Sequence, residues 1–457
     1  MRLLPFIALA GLTACAPAPQ AEVSKSYAVE ATSGAVLPVL QGFTGSASVR
    51  SAKSNTDIAR DFLDLEFRME SGRALPSFSR FNGTITVAFM GDVPASAPGE
   101  LGQLLGRFRA EAGLDIRMAD PGENPSITID FQPRAQMQRV VPMAACFVVP
   151  RVQSFAEYKS KRNSADVDWT TMTSRDHVAI FIPSDTSPQE VRDCLHEELA
   201  QSMGPLNDLY HLSDSVFNDD NFNTVLTGFD MLMLRLHYAP ELRNGMNEAE
   251  AAKNLPAMLA RLNPGGEGRG GKRLQIAPRS WVAAVEGAFG PRNGAGARAK
   301  SADRMLSIAM AQGWRDGRLA FSFYAKGRAL TASQPDAAVQ AFAQAAKIYR
   351  GIPGAGINAA HVDMQLAAIA LSSGQNDQAI SFADRAIPVV KNAENAALLA
   401  TLMLIKAEAL DNLGQASQAA ALRLDTLGWA RYGFGAEPQV RARMSEIAAL
   451  GARGLRG

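Results

Sequence analysis

Polar side chains with the chemistry of an active site are concentrated on one predicted helix. Glu197 and Glu198 are adjacent carboxyl groups, and such a pair can hold one proton at a raised pKa and take part in acid–base catalysis. His196 and Glu197 also begin the zinc-binding pattern HExxH, but Ala200 stands at the second ligand position and has no donor atom. Gln201 lies four residues after Glu197, so these two side chains share a helix face.

If the alignment is moved by one residue so that it starts at Glu197, the sequence resembles the metzincin pattern HExxHxxGxxH. Its three ligand positions are then held by Glu197, Gln201 and Asn207. The resemblance implies that Glu198 is the general base and that Gly204 lets the chain reverse toward a third ligand. Zinc prefers His nitrogen and Cys sulfur, so we expect a domain without zinc or any other cofactor. Weak calcium binding and an altered hydrolytic site are the alternatives.

A second segment, residues 227–238, resembles the chain that packs beneath the metal site in several zincin families. The resemblance implies that Met231 or Met233 supplies a methionine floor and that Asp230 supports it.

Residues 190–246 also resemble a bacterial lipoprotein family whose domain has no established activity. Its hallmark is a Cys, a Glu-Glu pair, Gln, Gly and Asn-Asp, which here runs from Cys194 to Asp208. The resemblance covers about residues 60–250. It implies a zincin-like fold and brings no known reaction.

The motif helix has clear boundary signals. Ser187 is the predicted N-cap, Pro188 takes the first helical position, and Glu190 completes a capping box. The helix should end at Gly204, which is followed by proline.

Other elements of this half alternate between strands and helices, which predicts an α+β domain with a mixed sheet. β-branched and apolar runs predict strands at 84–90, 126–131, 145–149 and 177–183, and helical periodicity predicts helices at 57–70, 98–112 and 226–238.

The C-terminal third has no strand signals and repeats itself. Gln334, Gln375 and Gln415 each precede a second helix of a predicted helix pair, at a spacing of about 40 residues. The pattern resembles tetratricopeptide-type helical hairpins, although the standard period is shorter. It predicts an all-α array with a surface for a protein or peptide partner.

The N-terminus carries an apolar run that is too short to span a bilayer and ends in Leu-Thr-Ala-Cys15. This resembles the lipobox of bacterial lipoproteins, which implies that Cys15 is lipidated and anchors the chain to a membrane. An ordinary secretory signal with a chance cysteine is the alternative. Ala16 follows the cysteine in place of the retention signal Asp, which favours the outer membrane over the inner.

Cys146 and Cys194 are the two cysteines left if Cys15 is lipidated. An exported protein lives in an oxidising compartment, so we predict a disulfide between them, with two buried free thiols as the alternative.

Composition excludes some functions. Hydrophobic residues make up 47% of the 457 residues and the formal net charge is +1, so the chain is globular and has no electrostatic basis for binding nucleic acid. The predicted divisions are a lipoprotein signal peptide at 1–15, an irregular tether at 16–50, the zincin-like α+β domain at 51–262, a Gly-rich linker with a bridging helix at 263–300, and the tetratricopeptide-like repeats at 301–457.

Together these features predict a lipid-anchored, periplasm-facing envelope protein of binding or scaffold type. An atypical envelope hydrolase that uses Glu197 and Glu198 is the first alternative, and an assembly factor whose repeats act alone is the second.

Overall fold

The computed structural model describes residues 24–27, 43, 51, 53–271, 274–290 and 293–454. Cys15, the predicted signal peptide and most of the predicted tether lie outside these residues.

Among the described residues of the N-terminal half, six strands form one sheet. They are β1 (Ser24–Tyr27), β2 (Ile85–Gly91), β3 (Ile116–Met118), β4 (Ile127–Gln132), β5 (Ala144–Pro150) and β6 (Val178–Pro183). Their order across the sheet is β1-β5-β6-β4-β2-β3. The four strands from β6 to β3 are parallel, whereas β5 and β1 are antiparallel to their neighbours. The mixed sheet of an α+β domain is thus confirmed, and β1 adds a strand within the segment predicted as a tether.

In the part of this half that the structure describes, seven α-helices accompany the sheet. They are α1 (Asn55–Glu66), α2 (Ala97–Arg107), α3 (Arg134–Val140), α4 (Phe155–Lys161), α5 (Pro188–Met203), α6 (Gly228–His237) and α7 (Glu248–Leu262). A π-helical turn at Phe108–Ala112 continues α2, and single 3₁₀ turns lie at Ala165–Val167, Trp169–Thr171 and Pro264–Gly266.

Side chains of the central strands alternate between two hydrophobic cores. In β6, Ile180 and Ile182 face the larger core, which contains residues of α1, α2, α5, α6 and α7, while Ala179 and Phe181 face a smaller core with residues of α3 and α4. Both faces of the sheet are therefore covered, which explains why this strand is a continuous apolar run. Helix α5 belongs to the larger core and follows β6 directly along the chain.

Nine helices follow the N-terminal domain within the described residues, and we call them the array. They are α8 (Arg279–Phe289), α9 (Ala295–Ala311), α10 (Gly317–Leu330), α11 (Pro335–Arg350), α12 (Gly356–Ser372), α13 (Asn376–Asn392), α14 (Ala396–Asn412), α15 (Ala416–Phe434) and α16 (Glu437–Gly454).

The array is built of helical hairpins, as predicted. Helices α11, α13 and α15 each begin directly after one of the repeated glutamines, and Ala338, Ala379 and Ala419 occupy equivalent buried positions four residues after those glutamines. The hydrophobic core of the array also includes Trp281 of α8. The sequence predicts that the repeats start at residue 301, which lies inside α9 and after α8. Within the described residues, no helix has both the length and the apolar character needed to cross a bilayer.

The array packs against the N-terminal domain through the loop between α5 and α6, residues 207–223, which we call the junction loop. Tyr210 and Phe222 of this loop belong to the hydrophobic core of the array. The ring of Phe222 stacks on His361 with 4.4 Å between ring centroids, and Asn358 donates a hydrogen bond of 3.0 Å to Asp220. The junction loop therefore belongs to both parts of the molecule.

Candidate functional site

The site is built on α5, and its N-terminus is held by side chains. Ser187 accepts a hydrogen bond of 3.1 Å from the backbone N–H of Glu190, as an N-cap should. The carboxylate of Glu190 contacts Thr186 and accepts from Arg134 at 2.5 Å. The predicted N-cap and both helix ends are confirmed, but the capping box is incomplete because Arg134 and Thr186 hold the Glu190 side chain.

His196 plays a structural role. It is buried, and its Nδ1 accepts a hydrogen bond of 3.2 Å from the backbone N–H of Leu226. Burial and the charges of Arg192 and Arg107 lower its pKa well below the usual value, so the ring is neutral. Ala200 is buried as well and offers no ligand atom. The unshifted HExxH frame therefore carries no metal site.

The C-terminal end of α5 is held by a buried arginine. Arg175 donates hydrogen bonds to the carbonyl oxygens of Gln201, Ser202 and Gly204 at 2.9, 2.7 and 2.6 Å. A Cβ atom on Gly204 would lie 3.3 Å from the side chain of Leu234 in α6, so a larger residue here would require Leu234 to shift by a few tenths of an ångström. The chain turns here as the motif predicts, and a buried cation binds the carbonyl groups at the turn.

Asn207 is also used for structure. Its Nδ2 donates a hydrogen bond of 2.8 Å to the carbonyl oxygen of Asp64, which ties the start of the junction loop to α1. The Gln201 side chain is fully buried. Two of the three predicted ligand positions thus lie in the packed interior.

Five carboxyl groups near the C-terminal half of α5 interact electrostatically, and we call them the acidic cluster: Glu70, Glu197, Glu198, Asp208 and Asp219. Burial, with the charges of Asp219 and Glu70, raises the pKa of Glu197 well above its usual value. Burial and the charges of Glu197 and Glu70 do the same for Glu198. The pKa of Asp208 is raised by burial and by the other four members. The structure thus unites Glu197, Glu198 and Asp208, which the sequence singles out.

A cavity of about 320 Å³ opens beside this cluster, and we call it the interdomain cavity. Three parts of the chain line it: residues 68–72 after α1, the junction loop, and residues 276–286 in and before α8. Glu70, Asp208 and Asp219 are among the lining residues, whereas Glu197 and Glu198 are not. Clefts between domains are common ligand sites, so this cavity is the place where a ligand would meet the cluster.

The predicted support residues lie in α6 and its N-cap. Asp230 is fully buried and accepts hydrogen bonds from Ser215 Oγ and from the backbone N–H groups of Val216 and Thr227, at 2.5, 3.2 and 2.7 Å. Burial raises its pKa to about 6 despite these donors. Met231 and Met233 are buried in the larger core. Asp230 therefore fixes the junction loop to α6, while a methionine floor stays a prediction.

Cys146 and Cys194 form the predicted disulfide, with their Cα atoms 6.0 Å apart. The bond joins β5 to the middle of α5, three residues before Glu197, and so fixes the helix of the acidic cluster to the sheet.

Sequence reasoning missed Glu70 as a member of the cluster and gave Asp219 no role there. Glu70 lies in a turn after α1, and Asp219 lies in a loop rich in Asp and Asn. Neither has a motif around it that points to α5. The acidic composition of the junction loop is the one sequence signal that could have drawn attention to Asp219.

Comparison with known proteins bears on the N-terminal domain. Residues 55–257 match a family model described as a protein of unknown function (DUF2927). The matched region begins at α1 and ends within α7, so it contains the whole acidic cluster, and the array lies beyond it. No curated protein matches the chain. The match agrees with the predicted resemblance to a family without established activity.

Proposed function

We propose that this chain is a cell-envelope lipoprotein of binding or scaffold type. Cys15 would carry the lipid that anchors it to the membrane, outer rather than inner, and the folded part would face the periplasm. The array would hold a protein or peptide partner through tetratricopeptide-like hairpins. The N-terminal domain would be a degenerate, zincin-like relative of metalloproteases that supports recognition and not cleavage.

The burial of Glu198 is the observation that carries this proposal. A general base must reach the water or substrate from which it takes a proton. Glu198, the residue in the general-base position, has 0% exposure and does not line the interdomain cavity. Gln201 is buried and Asn207 bonds to Asp64, which supports a domain without zinc.

The array offers a surface suited to a partner. A groove of about 610 Å³, which we call the array groove, is lined by residues of α9, α10 and α11 and the turns that follow them. Met310 lies at this groove with 64% of its surface exposed, beside Trp314 and Ile348. Exposed methionine side chains are typical of surfaces that bind peptides.

The alternative is an atypical peptidase-like hydrolase. Glu197 favours it, because this side chain is half-buried and the charges of Asp219 and Glu70 help to raise its pKa, as acid catalysis near neutral pH requires. Under this alternative, Glu197→Gln and Glu198→Gln would each abolish hydrolysis of peptides by the purified protein.

A photo-cross-linking residue at Met310 is expected to capture a specific envelope protein in intact cells, and the adduct should persist when Glu198→Gln is added. The physical reason is that the array groove binds without help from the carboxyl pair. The same cross-linker at Met90, which is 43% exposed in the N-terminal domain, is the matched control and should give no such adduct. Loss of the adduct in the Glu198→Gln background, or peptide hydrolysis by the wild type, would argue for the hydrolase.

Cys15→Ser is expected to move the protein from the membrane fraction to the soluble periplasmic fraction, because it removes the thiol that would carry the lipid. Fractionation and intact mass spectrometry measure the change, and the wild type should carry the added mass of a lipid on Cys15. A wild-type chain without that mass would rule out the anchor.

A further inference from the structure

We propose that the interdomain cavity binds a calcium ion through the carboxylates of Glu70, Asp208 and Asp219. Their ligand oxygens lie within 4.8 Å of one another, and a calcium ion about 2.4 Å from each oxygen would span that separation. These are different residues from the positions that the metzincin pattern predicts, and they line a cavity that a hydrated ion can enter.

The carboxyl group of Asp208 gives independent support. Among the described residues, both of its oxygens are buried and neither has a hydrogen-bond partner, and the residue lines the interdomain cavity. The charge of Glu70 acts on this group. Leaving buried carboxyl oxygens without a donor or a cation costs free energy, and a cation bound to them would remove that cost.

The donor set indicates the class of cation. All three side chains offer oxygen alone, which suits hard cations and not zinc or copper. His211 also lines the cavity, but its Nε2 lies 2.9 Å from Asp61 and is engaged there. Calcium accepts irregular geometry and several waters, whereas magnesium requires a near-ideal octahedron. Side chains that come from one loop and a turn therefore favour calcium.

The position of the ligands gives the ion a structural consequence. Glu70 belongs to the N-terminal domain, while Asp208 and Asp219 belong to the junction loop, whose Tyr210 and Phe222 lie in the core of the array. An ion bound to all three would tie the two parts of the molecule together. We therefore expect calcium to stabilise the docked arrangement.

Isothermal titration of the full chain with calcium chloride tests the proposal. We expect one ion per chain, at least about tenfold weaker binding in Asp208→Asn and in Asp219→Asn, and a calcium-dependent rise in the unfolding temperature that both variants lose. Asp120→Asn is the matched control, because this carboxylate is 81% exposed and lies in the turn after β3; it should bind calcium like the wild type.

Folding of the variants is checked in EDTA, where Asp208→Asn should unfold no earlier than the wild type because it removes a member of a crowded acidic cluster. The proposal is overturned if the wild type binds no calcium at millimolar concentration, if both variants bind it as tightly as the wild type, or if a diamine such as putrescine binds in the cavity and calcium does not. The probe is the metal alone, so the result is independent of whether the array groove captures a partner.

Discussion

Arg192→Met is expected to destabilise the docked protein by about 3–5 kcal/mol, because it removes the cation from a buried charge network. Arg192 is 2% exposed and contacts Glu394 of the array and Glu100 of α2, the latter at 2.8 Å. Tyr432 of α15 donates a hydrogen bond to the same Glu100. Methionine matches the length of the arginine stem but leaves two carboxylates in the interface without their guanidinium.

Chemical denaturation followed by fluorescence should show an earlier transition in this variant, and limited proteolysis should cut sooner between α7 and α8. Arg441→Met is the matched control, because this arginine is 74% exposed in α16 and should change stability by less than about 0.5 kcal/mol. The double variant Arg192→Met, Glu394→Gln should recover part of the lost unfolding free energy, since it removes one of the two carboxylates left without a cationic partner. An Arg192→Met protein as stable as the wild type would mean that the network does not hold the array in place.

The strands could be predicted because burial on both faces leaves a direct mark on the sequence. Residues 177–183 are an almost continuous apolar run and form the central strand β6, whereas residues 126–131 alternate between polar and apolar side chains and form β4. The three-residue strand β3 is too short to show any period. β1 lies at the edge of the sheet and pairs only with β5 among the described strands, and this pairing cannot be recognised from the sequence of β1 itself.

Only the residues of the site that lie in α5 or directly after it could be predicted from the sequence. The motif on α5 and its caps follow from local spacing, so Glu197, Glu198 and Asp208 could be named from the sequence. Glu70 and Asp219 reach the cluster because α1 and the junction loop pack beside α5, and such packing depends on the whole fold. The partners of Arg192 show the same limit, because Glu394 is 202 residues away along the chain.

The resemblance to metzincins predicts the turn after α5, and the ligand positions that it implies stay predictions. Gly204 and the turn after α5 lie where the pattern places them, and Asp230 holds the following loop. Asn207 and Asp208 both line the interdomain cavity, and the amide of Asn207 also donates a hydrogen bond to the carbonyl oxygen of Asp64 in α1. Asp208, the calcium ligand that we propose, is thus one residue along the chain from the ligand position that the pattern predicts.

Removal of the disulfide by Cys146→Ala with Cys194→Ala is expected to lower the free energy of unfolding by about 4 kcal/mol, because the bond closes a 48-residue loop and restricts the unfolded chain. Thermal and urea unfolding under oxidising conditions measure the loss. Both cysteines are buried, so alanine also removes packing around the sulfur atoms.

Reduction separates the covalent effect from the packing effect. Dithiothreitol should destabilise the wild type by most of the loss seen in the double variant, because it opens the loop but keeps both sulfur atoms, and it should leave the double variant unchanged. Two titratable thiols in the denatured, unreduced wild type would contradict the bond. Since α5 is tied to β5 only three residues before Glu197, reduction should also loosen the acidic cluster, and calcium should then restore less stability to the reduced protein than to the oxidised one.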